Sequence, residues 1–177
     1  MSPPDTTTPR RLTQTAALLL TTLSAGVNLS LSTFLVPRLL ESPTPTMLQQ
    51  WRRTYARGAS TIPFAAAAAA AGYLWLGLSG GCGGGGGGAG MGLCRARLYL
   101  AAAGLTVGIA PYTMVVMGGV NGRLKGLEKR VGEVRSEGEV AIEERSAKGL
   151  VDWWGVLNLG RAGLLVAGAV CGLAATL

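Results

Sequence analysis

Apolar residues in this chain are gathered into four long runs rather than the one-face or alternating patterns of a water-soluble fold. The runs cover about residues 12–36, 59–78, 98–120 and 153–177. The first three carry no charged side chain, and the fourth carries only Arg161. A hydrocarbon core about 30 Å thick is crossed by roughly 20 helical residues, so each run is long enough to span it. A spanning barrel needs strict alternation and at least about eight strands, and the runs offer neither. A soluble bundle needs a polar stripe on each helix, and the second and third runs have almost none. The pattern predicts an all-α fold, a four-helix transmembrane bundle over residues 12–177 behind a disordered tail at 1–11.

The segments between the runs refine this picture. Arg10 and Arg11 followed by the apolar stretch 16–23 resemble a signal peptide. The apolar run continues to Val36 and no A-x-A site follows, so the span is expected to be retained. It is expected to end before Pro37. Its second half is polar for a lipid-facing helix, with Ser24, Asn28, Ser30, Ser32 and Thr33; such residues face other helices or a cavity. In the first loop, Thr46 with Gln49 three residues on fits a capping box and predicts a short helix. That helix carries Trp51, Arg52 and Tyr55 to headgroup level. The glycine tract 80–92 lacks the Lys-Ser/Thr of a phosphate loop and reads as a linker. Gly104-x-x-x-Gly108 is a helix-packing motif, and Pro111 is expected to kink the third span. With Gly168-x-x-x-Gly172 it offers a contact for a homo-oligomer.

Composition sharpens the reading. The chain has 177 residues, 49% apolar and 14% charged, with a formal net charge of +7 and no histidine. Soluble domains carry about 25% charge. Without histidine there is no imidazole metal site and no Ser-His or Cys-His pair. The three cysteines (Cys82, Cys94, Cys171) form no C-x-x-C, so no metal centre or cofactor is expected from them. Residues 123–152 hold seven basic and seven acidic side chains, a neutral, solvated helix or loop and not a nucleic-acid surface. Arg38, Arg52, Arg53 and Arg57 join those seven basic residues on one side of the membrane, against Arg10, Arg11, Arg95 and Arg97 on the other. The positive-inside rule puts the two larger loops in the cytosol.

Arg161 is the residue with most to say about chemistry. It lies about 12 Å along its helix from Trp153, where a guanidinium must face protein or water. Trp154, Asn158 and Arg161 follow i, i+4, i+7 spacing and share a face. A flat aromatic, an amide and a fixed cation suit a planar, partly anionic aromatic ligand. The plainer alternative makes Trp154 an interfacial anchor and lets Arg161 snorkel or pair with Asn28 or a carbonyl. Pro37, Arg38, Trp51, Tyr55, Pro111, Tyr112, Thr113 and Asn121 fall in the same half of the spans as that face.

Several of these residues carry a resemblance. Ser30-Leu31-Ser32 … Pro37 … Leu40, then Trp51-x3-Tyr55-x2-Gly58-x4-Pro63, is similar to the N-terminal half of the fungal anthrone oxygenases. Pro111-Tyr112-Thr113-x3-Met117-x3-Asn121 and Trp154-x2-Leu157-Asn158-x2-Arg161 resemble the same family. The resemblance covers roughly residues 20–172. The glycine tract has no counterpart in it, and Gly118-Gly119 stands where bulkier residues or proline are common.

The resemblance implies a membrane-bound, cofactor-independent monooxygenase of secondary metabolism, in the endomembrane system. Its substrates are an aromatic polyketide, an anthrone, and O2. It implies catalytic roles for Arg161, Asn158, Trp154 and Tyr112. It places Trp51, Tyr55, Thr113, Asn121 and Asn28 against the substrate. The anthrone carbanion is delocalised and reduces O2 itself, so the protein need only bind the substrate, favour the enolate and admit oxygen. Tyr112, Tyr55, Glu41 or water remain as proton acceptors. A non-catalytic four-span scaffold is the alternative, and a transporter ranks below it.

Overall fold

The structure is a computed structural model that describes residues 7–79, 89–130 and 137–177. The described residues are all helical or in turns. Helix α1 (Thr7–Ser30) passes through a π-helical turn (Leu31–Leu35) into α2 (Val36–Leu40). Helix α3 (Thr44–Ser79) follows, then α4 (Ala89–Val107), α5 (Ile109–Val115), α6 (Gly118–Arg130) and α7 (Glu137–Thr176). Four helical stretches are long and apolar enough to cross a membrane: Thr7–Leu40, Thr44–Ser79, Cys94–Val115 and Glu144–Thr176. The structure is thus all-α and consistent with a four-span membrane bundle. Its outward residues agree: Phe34 and Phe64 are 74% and 75% exposed, and Leu12, Leu23 and Leu78 are similarly bare. Water would penalise such surfaces, whereas hydrocarbon accepts them.

The helices differ from the expected spans where proline or a terminus is involved. α1 begins at Thr7, inside the segment expected as a tail. Pro9 lies in its first turn, where a missing N–H costs nothing, and its carbonyl accepts the Thr13 hydroxyl at 3.0 Å. The first span does not end before Pro37 but continues to Leu40. The π turn makes this compatible with proline: Val36 N–H reaches back to the Leu31 carbonyl, and Pro37 follows in the first turn of α2. Thr33 and Ser32 return hydroxyl bonds to the carbonyls of Leu29 (2.9 Å) and Asn28 (3.4 Å). The polar residues of this span therefore serve the local backbone as well as neighbouring helices. The short helix expected to start at Thr46 and carry Trp51, Arg52 and Tyr55 is the first part of α3, continuous with the second span. The third span breaks at Gly108, between α4 and α5. Pro111 accounts for the break: its ring displaces the carbonyl four residues back, that of Val107, and provides no N–H to bond it.

The tail 1–6, glycine-tract residues 80–88 (with Cys82) and residues 131–136 of the charged segment lie outside the described residues. On either side of 131–136 that segment is helical.

The chain divides into two compact units. Unit 1 comprises Met1–Ala25, Pro63–Ile109 and Gly163–Leu177. Its core is made of small residues and two tyrosines: Ala17, Ala70, Tyr73, Leu76, Tyr99, Ala102, Ala103 and Ala175. Gly168 approaches Thr106 and the Ala102 carbonyl, and Gly172 lies against the Tyr73 ring. A Cβ on Gly172 would come within 2.6 Å of Tyr73 Oη, so Gly168-x-x-x-Gly172 is engaged within the chain. Gly104, by contrast, has open space beside it. Tyr73 and Tyr99 stack at 6.4 Å, and Gln14 donates to the Tyr99 hydroxyl at 2.8 Å.

Unit 2 comprises Gly26–Ile62 and Ala110–Ala162. Its core is built on larger side chains, including Val36, Leu39, Met47, Leu48, Trp51, Met117, Leu124, Val151, Trp154 and Leu157.

Candidate functional site

All nine residues singled out from the sequence belong to unit 2: Asn28, Trp51, Tyr55, Tyr112, Thr113, Asn121, Trp154, Asn158 and Arg161. Their positions come from four helices, α1, α3, α5 and α7, with Asn121 on α6.

The face of α7 is internally wired. Asn158 is fully buried, and its amide nitrogen donates to the Trp154 carbonyl at 2.8 Å. That bond fixes which way the side chain points, and its oxygen accepts Arg161 Nη1 at 3.4 Å. Arg161 is thus oriented by its own helix one turn back. Among the described residues, Arg161 Nε is buried without a hydrogen-bond partner. Among the described residues no carboxylate is paired with it.

Two glycines let other elements approach α7. Ser32 donates to the Gly155 carbonyl at 2.7 Å, while Val36 packs on Gly155, 3.0 Å from where a Cβ would stand. Tyr112 crosses Gly160 and donates to the Leu157 carbonyl at 3.2 Å. A Cβ on Gly160 would overlap the Tyr112 hydroxyl and come within 2.8 Å of its Cζ. Tyr112 is therefore anchored to the backbone, one turn from Arg161, with its proton directed at a carbonyl.

The aromatic part of the site starts at Trp51, which is fully buried. Trp51 stacks on Tyr55 (5.4 Å, 23°) and meets Trp154 edge-on (6.2 Å, 83°). Trp154 is also buried, so neither indole is an interfacial anchor. Among the described residues both indole N–H groups lack an acceptor, as does Arg161 Nε–H, and the Asn121 side-chain oxygen lacks a donor. A buried donor left unmade costs about 1–3 kcal/mol. All three such donors lie in unit 2. Asn28 and Asn121 are buried in the same unit and Thr113 is partly buried. Glu41 is exposed and pairs with Arg38 at 3.0 Å, on the surface.

The family comparison bears on this geometry. A family model described as anthrone oxygenase matches residues 51–171, more than half of the chain. The chain belongs to the anthrone oxygenase family. The match opens at Trp51 and takes in Tyr55, Tyr112, Thr113, Asn121, Trp154, Asn158 and Arg161. The expected resemblance over 20–172 is thereby shortened at its N-terminal side: Asn28, Ser32 and Pro37 lie before the residues matched to the anthrone oxygenase model. No curated protein and no solved structure matches the chain.

Three participants were not foreseen from the sequence. Gly160 and Gly155 read as ordinary small residues of a span, and their use appears only when Tyr112 and Val36 are seen to cross there. Lys125 was counted among the solvated charges of 123–152, yet its ammonium bonds Tyr55. Its spacing of four residues from Asn121 was the available signal, since the two share a helical face. Unit 1 also brings Gln14, Tyr73 and Tyr99 together, each at least partly buried.

Proposed function

We propose that the protein is a membrane-bound, cofactor-independent monooxygenase that oxidises a polyketide anthrone with O2 to an anthraquinone. The observation that carries this reading is the Trp154–Asn158–Arg161 face, inside the residues matched to the anthrone oxygenase family. Arg161 faces the enolate oxygen, with Nε free to donate and Nη1 held by Asn158. Preorganised donors of this kind stabilise an oxyanion without reorganising during the reaction. Trp154 and Trp51 provide aromatic surface, and Tyr55, Thr113, Asn121 and Asn28 complete the substrate contacts.

The chemistry balances with O2 as the only oxidant. Loss of a methylene proton gives the delocalised anion. The anion transfers an electron to O2 and the carbon–oxygen bond closes, giving a peroxide anion that takes back a proton to become a hydroperoxide. Cleavage of its O–O bond with loss of the second methylene hydrogen releases water and leaves the new carbonyl. One O2 therefore yields one quinone oxygen and one water. Tyr112, whose proton is engaged by Leu157, sits close to this centre but is not set up as the first proton acceptor. The protein resides in an endomembrane with its two larger loops in the cytosol.

The test is purified protein in detergent, supplied with anthrone and oxygen. Quinone formation and O2 uptake should match one to one, and should persist with a metal chelator present. Arg161→Ala should lower turnover by about 10²–10³-fold, the usual loss on removing an oxyanion donor, while remaining membrane-inserted. Equal rates for Arg161→Ala and wild type would reject the site, and no quinone from wild type would reject the function.

A further inference from the structure

Lys125 makes a contact that the α7 face does not explain. It lies on α6, and its Nζ donates to Tyr55 Oη at 3.3 Å while standing 4.5 Å from the centre of the Tyr55 ring. A lysine near the membrane surface ordinarily extends its ammonium into water. Lys125 is instead partly buried over Tyr55. Among the described residues it pairs with no carboxylate, although Glu128 stands one turn further along the same helix.

Its chemistry has a direction. An ammonium is only a donor, so in this pair Tyr55 Oη must accept. The phenol proton is then left for a different acceptor, and among the described residues Tyr55 donates to none. A charge-assisted bond into Oη also polarises the O–H and makes it a stronger donor. Tyr55 stacks on buried Trp51, which fixes its ring plane, and Trp51 in turn meets Trp154, whose carbonyl holds the Asn158 amide that accepts Arg161. Tyr112, the other phenol of the site, gives its proton to the Leu157 carbonyl.

We propose that Lys125 is a positioning residue that turns the Tyr55 O–H toward the substrate oxygen held by Arg161, making Tyr55 the second donor to that oxygen. The inference rests on the anthrone oxidation proposed above. Tyr55 and Arg161 share the negative charge of the enolate, and Lys125 never touches the substrate.

The test compares kcat and KM for anthrone in four variants of the full-length protein. Lys125→Met keeps the aliphatic stem and removes the donor; Lys125→Arg restores a cationic donor. Tyr55→Phe keeps the ring on Trp51 and removes the hydroxyl, and the fourth variant combines Lys125→Met with Tyr55→Phe. Lys125→Met and Tyr55→Phe should each lower kcat about 10- to 100-fold, the range for a hydrogen bond to a charged group, with KM changed less than about threefold. Arginine should recover most of the loss. The double variant should be no slower than Tyr55→Phe alone. Wild-type kcat in Lys125→Met or Tyr55→Phe, no rescue by arginine, or additive losses would each overturn the positioning role and leave the functional reading standing. Wild-type protein that leaves anthrone untouched would overturn the functional reading, and this role with it.

Discussion

Gly160→Ala isolates the crossing of Tyr112 over α7. The added Cβ would stand 2.8 Å from Tyr112 Cζ and 3.4 Å from Cε2. Carbon atoms in good contact sit about 3.5–4.0 Å apart, so the ring must retreat by roughly 1 Å. That retreat stretches the 3.2 Å bond from Tyr112 to the Leu157 carbonyl beyond hydrogen-bonding range. Overpacking costs about 1–3 kcal/mol and the lost bond about 0.5–1.5 kcal/mol. Alanine returns about 1 kcal/mol of helix propensity over glycine. The net expectation is destabilisation by about 1–3 kcal/mol. Gly163→Ala, three residues on in the same helix, is the control: nothing lies within 4 Å of its Cβ position. It should be neutral or stabilising by up to about 1 kcal/mol. Reversible unfolding in mixed micelles measures both. Pairing Gly160→Ala with Tyr112→Ala removes the clash, so the double variant should be more stable than the sum of the singles by about 1 kcal/mol or more. If Gly160→Ala and Gly163→Ala unfold alike within about 0.5 kcal/mol, the close crossing is wrong.

Further outcomes follow from other contacts. Asn158→Leu fills the space but releases Arg161 Nη1, so kcat for anthrone should fall by about tenfold or more, with little change in KM; unchanged kcat would deny Asn158 its orienting role. Ser32→Ala removes the 2.7 Å bond to Gly155 and should cost about 0.5–1.5 kcal/mol in the same unfolding assay. Gly172→Ala drives a methyl into the Tyr73 ring and should destabilise by about 1–3 kcal/mol, while Gly104→Ala, beside open space, should not; identical behaviour would remove the distinction between the two motifs.

The four spans were legible because hydrocarbon excludes charge, and three runs of the sequence exclude it entirely while the fourth admits only Arg161. Their ends were not. A charge-free run marks where a bilayer can lie, whereas the helix continues as long as its backbone bonds are met. Thr7–Leu40 therefore outruns the predicted 12–36 at both ends. Pro37 misled because proline normally closes a helix, and the π turn before it is invisible to any period-based pattern. Pro111 gave the break correctly, displaced three residues upstream to Gly108. In the candidate site, Trp154, Asn158 and Arg161 were legible together because 3.6-residue spacing is a one-helix property. The bonds Ser32–Gly155, Tyr112–Leu157 and Lys125–Tyr55 were not, since each joins residues 45 or more positions apart. Periodicity gives a face; only folding gives the face its partner.

The burial of Trp51 and Trp154 gives the chain a built-in optical reporter. Its four tryptophans fall into two burial classes. Trp75 and Trp153 are about half exposed on apolar helix surface, where bromine-labelled lipid tails would quench their emission. Trp51 and Trp154 are shielded from such tails, and at 6.2 Å their indoles exchange excitation. A quinone bound beside them would accept that excitation from both at once. Lipid quenching should therefore spare Trp51 and Trp154, and the further loss of emission on adding the ligand reports site occupancy in an intact membrane without a label.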